Sequence, residues 1–254
     1  MRIWAVAKNT FKETIRNRIL HNILIFAIGL ILLSLVVGEW SMYQQVKVIK
    51  DFGLSAMSIF GLLIAVFIGI RLMVQEMEQK TIYLIVSKPI KRWEFVFGKY
   101  IGLSVTLALN VFLMSLALWG TGFLMEGFID WSLAPAIFLI YIEILLVVAF
   151  SLLFSSFMMP TVSAIATLMI FIVGHLSDYL MEFMAVYPDR GYHWLLRAIY
   201  YVVPNLEKLN LKIAVVEDLP FDAQTVVFAF LYGASYILIL LIVTALVFNR
   251  KDLK

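Results

Sequence analysis

Residues 76–99 read EMEQKTIYLIVSKPIKRWEFVFGK and lie between two long apolar runs. The stretch has an apolar core of its own, Ile82-Tyr83-Leu84-Ile85-Val86, far too short to cross a bilayer. Lys80, Lys88, Lys91, Arg92 and Lys99 surround that core and mark the segment as water-facing. Whether the flanking runs are membrane spans decides the fold. What covers residues 82–86 decides the function.

The chain of 254 residues is 63% hydrophobic, with a mean hydropathy of +0.97. An ordinary soluble domain is roughly 45–50% apolar, so this composition indicates a polytopic membrane protein. Backbone groups cannot go unpaired in lipid, which leaves helices or a closed barrel. Long unbroken apolar runs exclude the barrel, whose strands would alternate. Zero cysteines remove disulfides and thiolate metal sites. The fold class expected is an all-α integral membrane protein, a single transmembrane domain over residues 1–254.

Six segments are long and apolar enough to span, at about 20–38, 53–75, 98–125, 133–157, 160–181 and 226–248. The first follows a polar leader and ends in Val-Val-Gly-Glu-Trp, not in a small-residue cleavage site, so the leader is expected to stay attached. The leader, the 71–99 region and the tail carry 14 of the 20 basic residues and five acids, against six basic and eleven acidic residues on the other side. That asymmetry puts both termini in the cytoplasm.

Residues 1–19 place Ile3/Trp4, Ala7, Phe11, Ile15 and Ile19 on one helical stripe, with Lys8, Asn9, Lys12, Glu13, Arg16 and Asn17 opposite. A basic amphipathic helix of this kind is expected to lie in the headgroup plane of the lipid bilayer, apolar face down. Across the membrane, residues 183–225 form a long stretch rich in Tyr187, Tyr192, Trp194, Tyr200 and Tyr201. Aromatics favour the interface, so Trp194 to Val203 should form a short helix on the outer leaflet, stopped by Pro204. Gly61/Ala65/Gly69 and Gly98/Gly102 are expected to pack inside the bundle. Ser155 to Pro160 leaves room for a tight hairpin between spans 4 and 5, with Pro160 in the first turn of the next helix.

In the opening stretch, Met77, Thr81, Leu84 and Ile85 fall at i, i+4, i+7 and i+8, which would give a helix a mostly apolar seam. Pro89 ends it. Burying a few such side chains at about 25 cal/mol per Å² is worth several kcal/mol, enough for the seam to dock in a partner's groove or against the chain's own helix ends. The residues themselves leave both open.

The order Glu76, Lys80-Thr81, Leu84, Ser87-Lys88-Pro89-Ile90, Arg92 and Gly98-Lys99 resembles the cytoplasmic loop of the ATP-binding-cassette (ABC) type-2 permeases. Lys80 stands where that family usually has glycine. The likeness extends over most of the chain: amphipathic leader, six spans, basic loop after span 2, hairpin between spans 4 and 5, outer element with Pro204-Asn205, short basic tail. It is closest to the branch that includes permeases associated with maturation of multicopper enzymes.

The resemblance implies a permease subunit of an exporter or mechanotransmitter in a prokaryotic inner membrane. Residues 76–92 would be a coupling helix entering a cleft on a separate ATPase subunit, through Glu76, Lys80, Thr81, Leu84, Ile85, Ser87, Lys88, Pro89 and Arg92. The leader would be an elbow helix through Trp4, Lys8, Phe11, Lys12, Ile15 and Arg16. It also implies a homodimer or pseudo-homodimer over two ATPases, with room for an extracytoplasmic partner and none for nucleic acid. The chain has no G-x4-G-K-[ST] loop, so ATP and Mg would be bound by the partner, with no cofactor here.

Two ionisable residues fall within spans. Glu143 lies near mid-bilayer in span 4, where an ionised acid costs at least about 2.5 kcal/mol; it is expected to be neutral or paired. His175 lies at comparable depth in span 5, so the two could share a hydrogen bond, either as part of a substrate or proton path or as a pin between helices. An intramembrane enzyme would need a catalytic set at one depth, and the sequence has no G-x-S-x-G or H-E-x-x-H. The alternative function is a stand-alone proton-coupled carrier using Glu143.

Overall fold

The computed structural model describes residues 2–41, 44–78, 91–186 and 193–250. Every regular element among them is helical. Helix α1 (Arg2–Ile15) ends at a turn in which the Asn17 side chain accepts the Ile19 N–H and caps α2 (Arg18–Trp40). Helix α3 (Gln45–Glu78) runs 34 residues and α4 (Arg92–Glu126) 35. At 1.5 Å per residue each is about 50 Å long, well beyond the ~30 Å hydrocarbon core. Both are therefore longer than the hydrocarbon core is thick. Helix α4 stops at Gly127, whose φ of 76° closes the helix in the left-handed conformation.

Helix α5 (Leu133–Ser155) is the centre of the bundle. Its sequence is apolar on every side, the signature of a helix surrounded by protein, and it packs against α3, α4, α6 (Pro160–His175) and α10 (Ala223–Arg250). Gly61 and Gly69 of α3 face Ile144 and Ser151 of α5 so closely that a Cβ at either position would collide. This seam sits inside the bundle, as small residues in membrane helices do. Pro160 occupies the first turn of α6 after the hairpin.

Among the described residues, five helices are long and apolar enough to span alone: those beginning at Arg18, Gln45, Arg92, Leu133 and Ala223. The sixth span, expected as one segment over 160–181, is broken. Helix α6 gives way to α7 (Ser177–Val186) with a bend of 56°. The Leu176 N–H is shared between the Ile172 and Val173 carbonyls, and the Ser177 hydroxyl donates to Val173 O at 3.2 Å. Hydroxyl back-bonding of this kind bends helices. Against the break lies Gly174, where a Cβ would meet Leu206 Cγ at 2.6 Å. The glycine lets a later segment wedge in.

That segment departs from expectation. Helix α8 (His193–Val202) forms within a residue of the predicted 194–203 helix. Downstream, however, the chain does not lie on the surface. Leu206 and Leu209, on a 3₁₀ turn (Leu206–Leu209), and Val215 on α9 (Lys212–Val216) are buried in the main core. Residues 203–216 plug the end of the bundle opposite Arg92, because Leu206, Leu209, Leu211 and Val215 give them an apolar face that surface aromatics obscured.

Two salt-linked turns close the same end. Lys50, buried in α3, reaches Asp130 at 2.7 Å and Asp218 at 3.3 Å, and Lys47 reaches Glu217 at 2.6 Å. Asp218 itself has φ 53°. Asp130 also accepts the Ser132 N–H, and its carbonyl receives the Trp119 indole N–H at 3.1 Å.

The small pair Gly98/Gly102 serves a different contact from the one expected. Position 98 abuts Val6 and position 102 abuts the Ala7 carbonyl and Thr10. The partner of this seam is α1.

Candidate functional site

Polar groups are sparse enough in this bundle that those buried together stand out. Glu143, on the central helix, is 1% exposed. Its Oε1 lies 3.0 Å from His175 Nε2 and receives the Ser58 hydroxyl from α3 at 3.5 Å. Its Oε2 has no hydrogen-bond partner among the described residues. His175 ends α6 at the bend, and its ring meets Phe171 edge-on at 4.6 Å. On the far side of the ring, Nδ1 is 3.7 Å from Glu207 Oε2.

Glu207 belongs to the plug, and sequence reading did not single it out. The Asn210 side chain donates to its Oε1 at 2.8 Å, and Asn205 Oδ1 accepts its backbone N–H. Asn205 in turn donates through Nδ2 to Asp178 at 2.6 Å and through its backbone to the Tyr232 hydroxyl at 2.8 Å. The Lys208 ammonium sits 5.0 Å over the Tyr232 ring. A discontinuous polar line thus runs from the centre of α5, through His175 and Glu207, to the plug. A carboxylate and an imidazole in contact can share a proton, and a second carboxylate lies near the other ring nitrogen. The signal available in the sequence was Pro204-Asn205, which caps the 3₁₀ turn carrying Glu207.

At the opposite end of the bundle, Arg92 Nη1 donates to the Phe248 and Asn249 carbonyls at 2.8 and 3.1 Å. These are orphan acceptors at the C-terminus of α10, and a cation there also meets the favourable end of the helix dipole. Phe95 stacks on Phe248 with ring centroids 5.9 Å apart. Lys99, 2% exposed, lies 3.7 Å from Glu13 of α1. Of the remaining coupling positions, Glu76 lies in the last turn of α3. Lys80, Thr81, Leu84, Ile85, Ser87, Lys88 and Pro89 lie outside the described residues, as does the covering of 82–86.

In α1, Lys8, Lys12 and Arg16 are exposed, Phe11 and Ile15 half-buried, and Trp4 is 68% exposed. Of the anticipated apolar stripe, Ala7 alone is buried. The face turned to α4 is Val6, Ala7, Thr10 and Thr14, and Ile19 falls beyond the break, in α2. Short residues dominate that face because the α4 glycines bring the two backbones together.

The family model for ABC-2 family transporter proteins matches residues 4–253. The chain belongs to that family. A search of curated proteins returns no significant match.

As an ABC-2 family protein the chain is an integral membrane transporter component, a permease subunit of a family that is generally non-catalytic. Among the described residues no group of three or more His, Asp or Glu side chains could hold a metal ion. Glu143 and His175, separated by 32 positions in sequence, come together because the α5–α6 hairpin is tight. Arg92 and Glu76 sit at facing ends of the two helices that frame the 76–92 connection.

Proposed function

We propose that this ABC-2 permease subunit transmits the work of a separate ATPase, which binds ATP and Mg, through residues 76–92 as a coupling helix. The observation that carries the reading is the pair α3 and α4. Both helices overrun the membrane thickness, and the basic, apolar-centred segment joins them at the end where Arg92 ties α4 to α10. A segment attached to two long levers is placed to move them.

In this reading both termini are cytoplasmic in a prokaryotic inner membrane, α1 is an elbow helix, and α8 rests on the outer leaflet. The permease works as a homodimer or with a close relative, in the manner of the multicopper-maturation branch, with the plug available to an extracytoplasmic partner. The test is co-purification with the ATPase. Because Arg92 caps α10, its reversal would disturb the bundle; Leu84→Gln with Ile85→Gln is the cleaner perturbation. The variant should insert normally and lose the ATPase in a pull-down. Retained binding would remove the coupling assignment.

The Glu143–His175–Glu207 line favours a second reading, a proton-coupled carrier working alone. In proteoliposomes without any ATPase, substrate-driven proton movement abolished by Glu143→Gln would select it.

A further inference from the structure

A cavity of about 390 Å³ opens beside the α1–α2 turn, and three guanidinium groups line it: Arg16 at the end of α1, Arg18 at the start of α2 and Arg71 near the end of α3. Among the described residues no carboxylate lies within 4.0 Å of any of them. Glu13 also borders the cavity but is engaged with Lys99 at 3.7 Å. The wall is apolar at Ile68 and Leu72. Arg18 opens one membrane-spanning helix, and Arg71 lies two turns before the end of α3 at Glu78. The cavity is therefore level with the boundary of the bilayer at the basic end of the bundle.

We propose that this cavity binds the headgroup of an anionic phospholipid. Three arginines converging on one space supply forked donors suited to phosphate oxygens. Basic pockets between membrane helices select acidic headgroups in this way. The apolar wall is what a glycerol backbone and the first acyl carbons need, and a soluble anion does not. The inference holds whichever side of the membrane the basic end faces, and it does not depend on the ATPase. A bound lipid would join α1, α2 and α3 at the turn between leader and bundle.

The experiment is native mass spectrometry of the purified full-length chain after equilibration with equal amounts of phosphatidylglycerol and phosphatidylcholine. The wild type should retain phosphatidylglycerol in at least tenfold excess. The variant Arg16→Gln/Arg71→Gln should lose that preference, while Lys8→Gln/Lys12→Gln, which removes the same charge from α1 outside the cavity, should keep it. Equal losses in the two variants would mean diffuse attraction and overturn the site. Displacement of the lipid by millimolar inorganic phosphate would assign the cavity to a soluble anion instead. If the glutamine variant fails to fold, Arg16→Lys/Arg71→Lys decides: it keeps the charge but not the forks, and an undiminished preference would overturn the proposal.

Discussion

Replacing His175 by alanine tests whether Glu143 and His175 form a working pair or merely lie close. In the wild type, Glu143 Oε1 has the imidazole at 3.0 Å and the Ser58 hydroxyl at 3.5 Å, and Oε2 has no partner among the described residues. Without the imidazole, a carboxyl that is 1% exposed keeps one long hydrogen bond. Two magnitudes compete. Hydrogen bonds between membrane helices average only about 0.6 kcal/mol in mutant cycles, whereas stranding one member of a buried pair costs roughly 3–5 kcal/mol. The enclosure of Glu143 on all sides by α3, α5 and α6 argues for the second, so His175→Ala should destabilise by about 3 kcal/mol. In a Glu143→Leu background nothing is left stranded, and the same replacement should cost about 1 kcal/mol or less. A double-mutant cycle on unfolding in detergent reads the difference, a coupling of about 2 kcal/mol. Additive losses, within about 0.5 kcal/mol, would refute the pairing and with it any proton-sharing role.

Gly102→Val places a side chain 2.5 Å from the Ala7 carbonyl; α1 should lift from α4 at a cost of about 1–3 kcal/mol, read as faster proteolysis of the leader. Arg92→Ala uncovers the Phe248 and Asn249 carbonyls, so hydrogen exchange in the last turn of α10 should rise while the centre of α5 stays protected. Burial alone would raise the Asp130 carboxyl, but hydrogen bonds from Lys50 and Ser132 and the Lys50 charge outweigh it and hold the group below its ordinary 3.8. A depressed folded-state value means the lock stabilises fully above about pH 3.8 and is lost as pH falls through the lower value. Unfolding followed through that acid range should therefore show a limb that Asp130→Asn flattens. An unchanged limb would show that the lock does not hold this end of the bundle.

Spans were legible because an unbroken apolar run in lipid has few alternatives to a helix. The burial of α5 was not, since its neighbours are equally apolar and hydropathy does not distinguish lipid from protein as surroundings. The bend after His175 was hidden for a related reason. The segment that wedges against it, Leu206 at Gly174, lies about thirty residues away, and glycine in a membrane helix carries little information by itself. Aromatic content could not separate α8, with Trp194 and Tyr201 exposed, from the plug that follows. For α1 the 3.6-residue period identified the helix, yet glycines on a different helix chose which face it buries. The coupling positions rest on pattern, and those other than Glu76 and Arg92 lie outside the described residues.

The layout of α4 bears on how a displacement at residues 76–92 would reach the other end. Its first turns hold α1 through Gly98 and Gly102 and α10 through Arg92 and Phe95. Near its far end Trp119 binds the Asp130 carbonyl, beside the carboxylate that clasps Lys50 of α3. An unbroken helix of 35 residues is stiff on this scale, so a push at Arg92 cannot be absorbed along its length; it must tilt the helix or shear a contact. The glycine seam with α1 and the carbonyl clamp on α10 tie the first turns of α4 to their neighbours, and the Lys50–Asp130 contact is one place where relative motion of α3 and the far end of α4 would be resisted. If the proposed coupling works through that contact, removing the Lys50 charge with Lys50→Met should loosen that end and raise ATP turnover uncoupled from transport in the reconstituted complex. Turnover and coupling both unchanged would place the resistance elsewhere in the bundle.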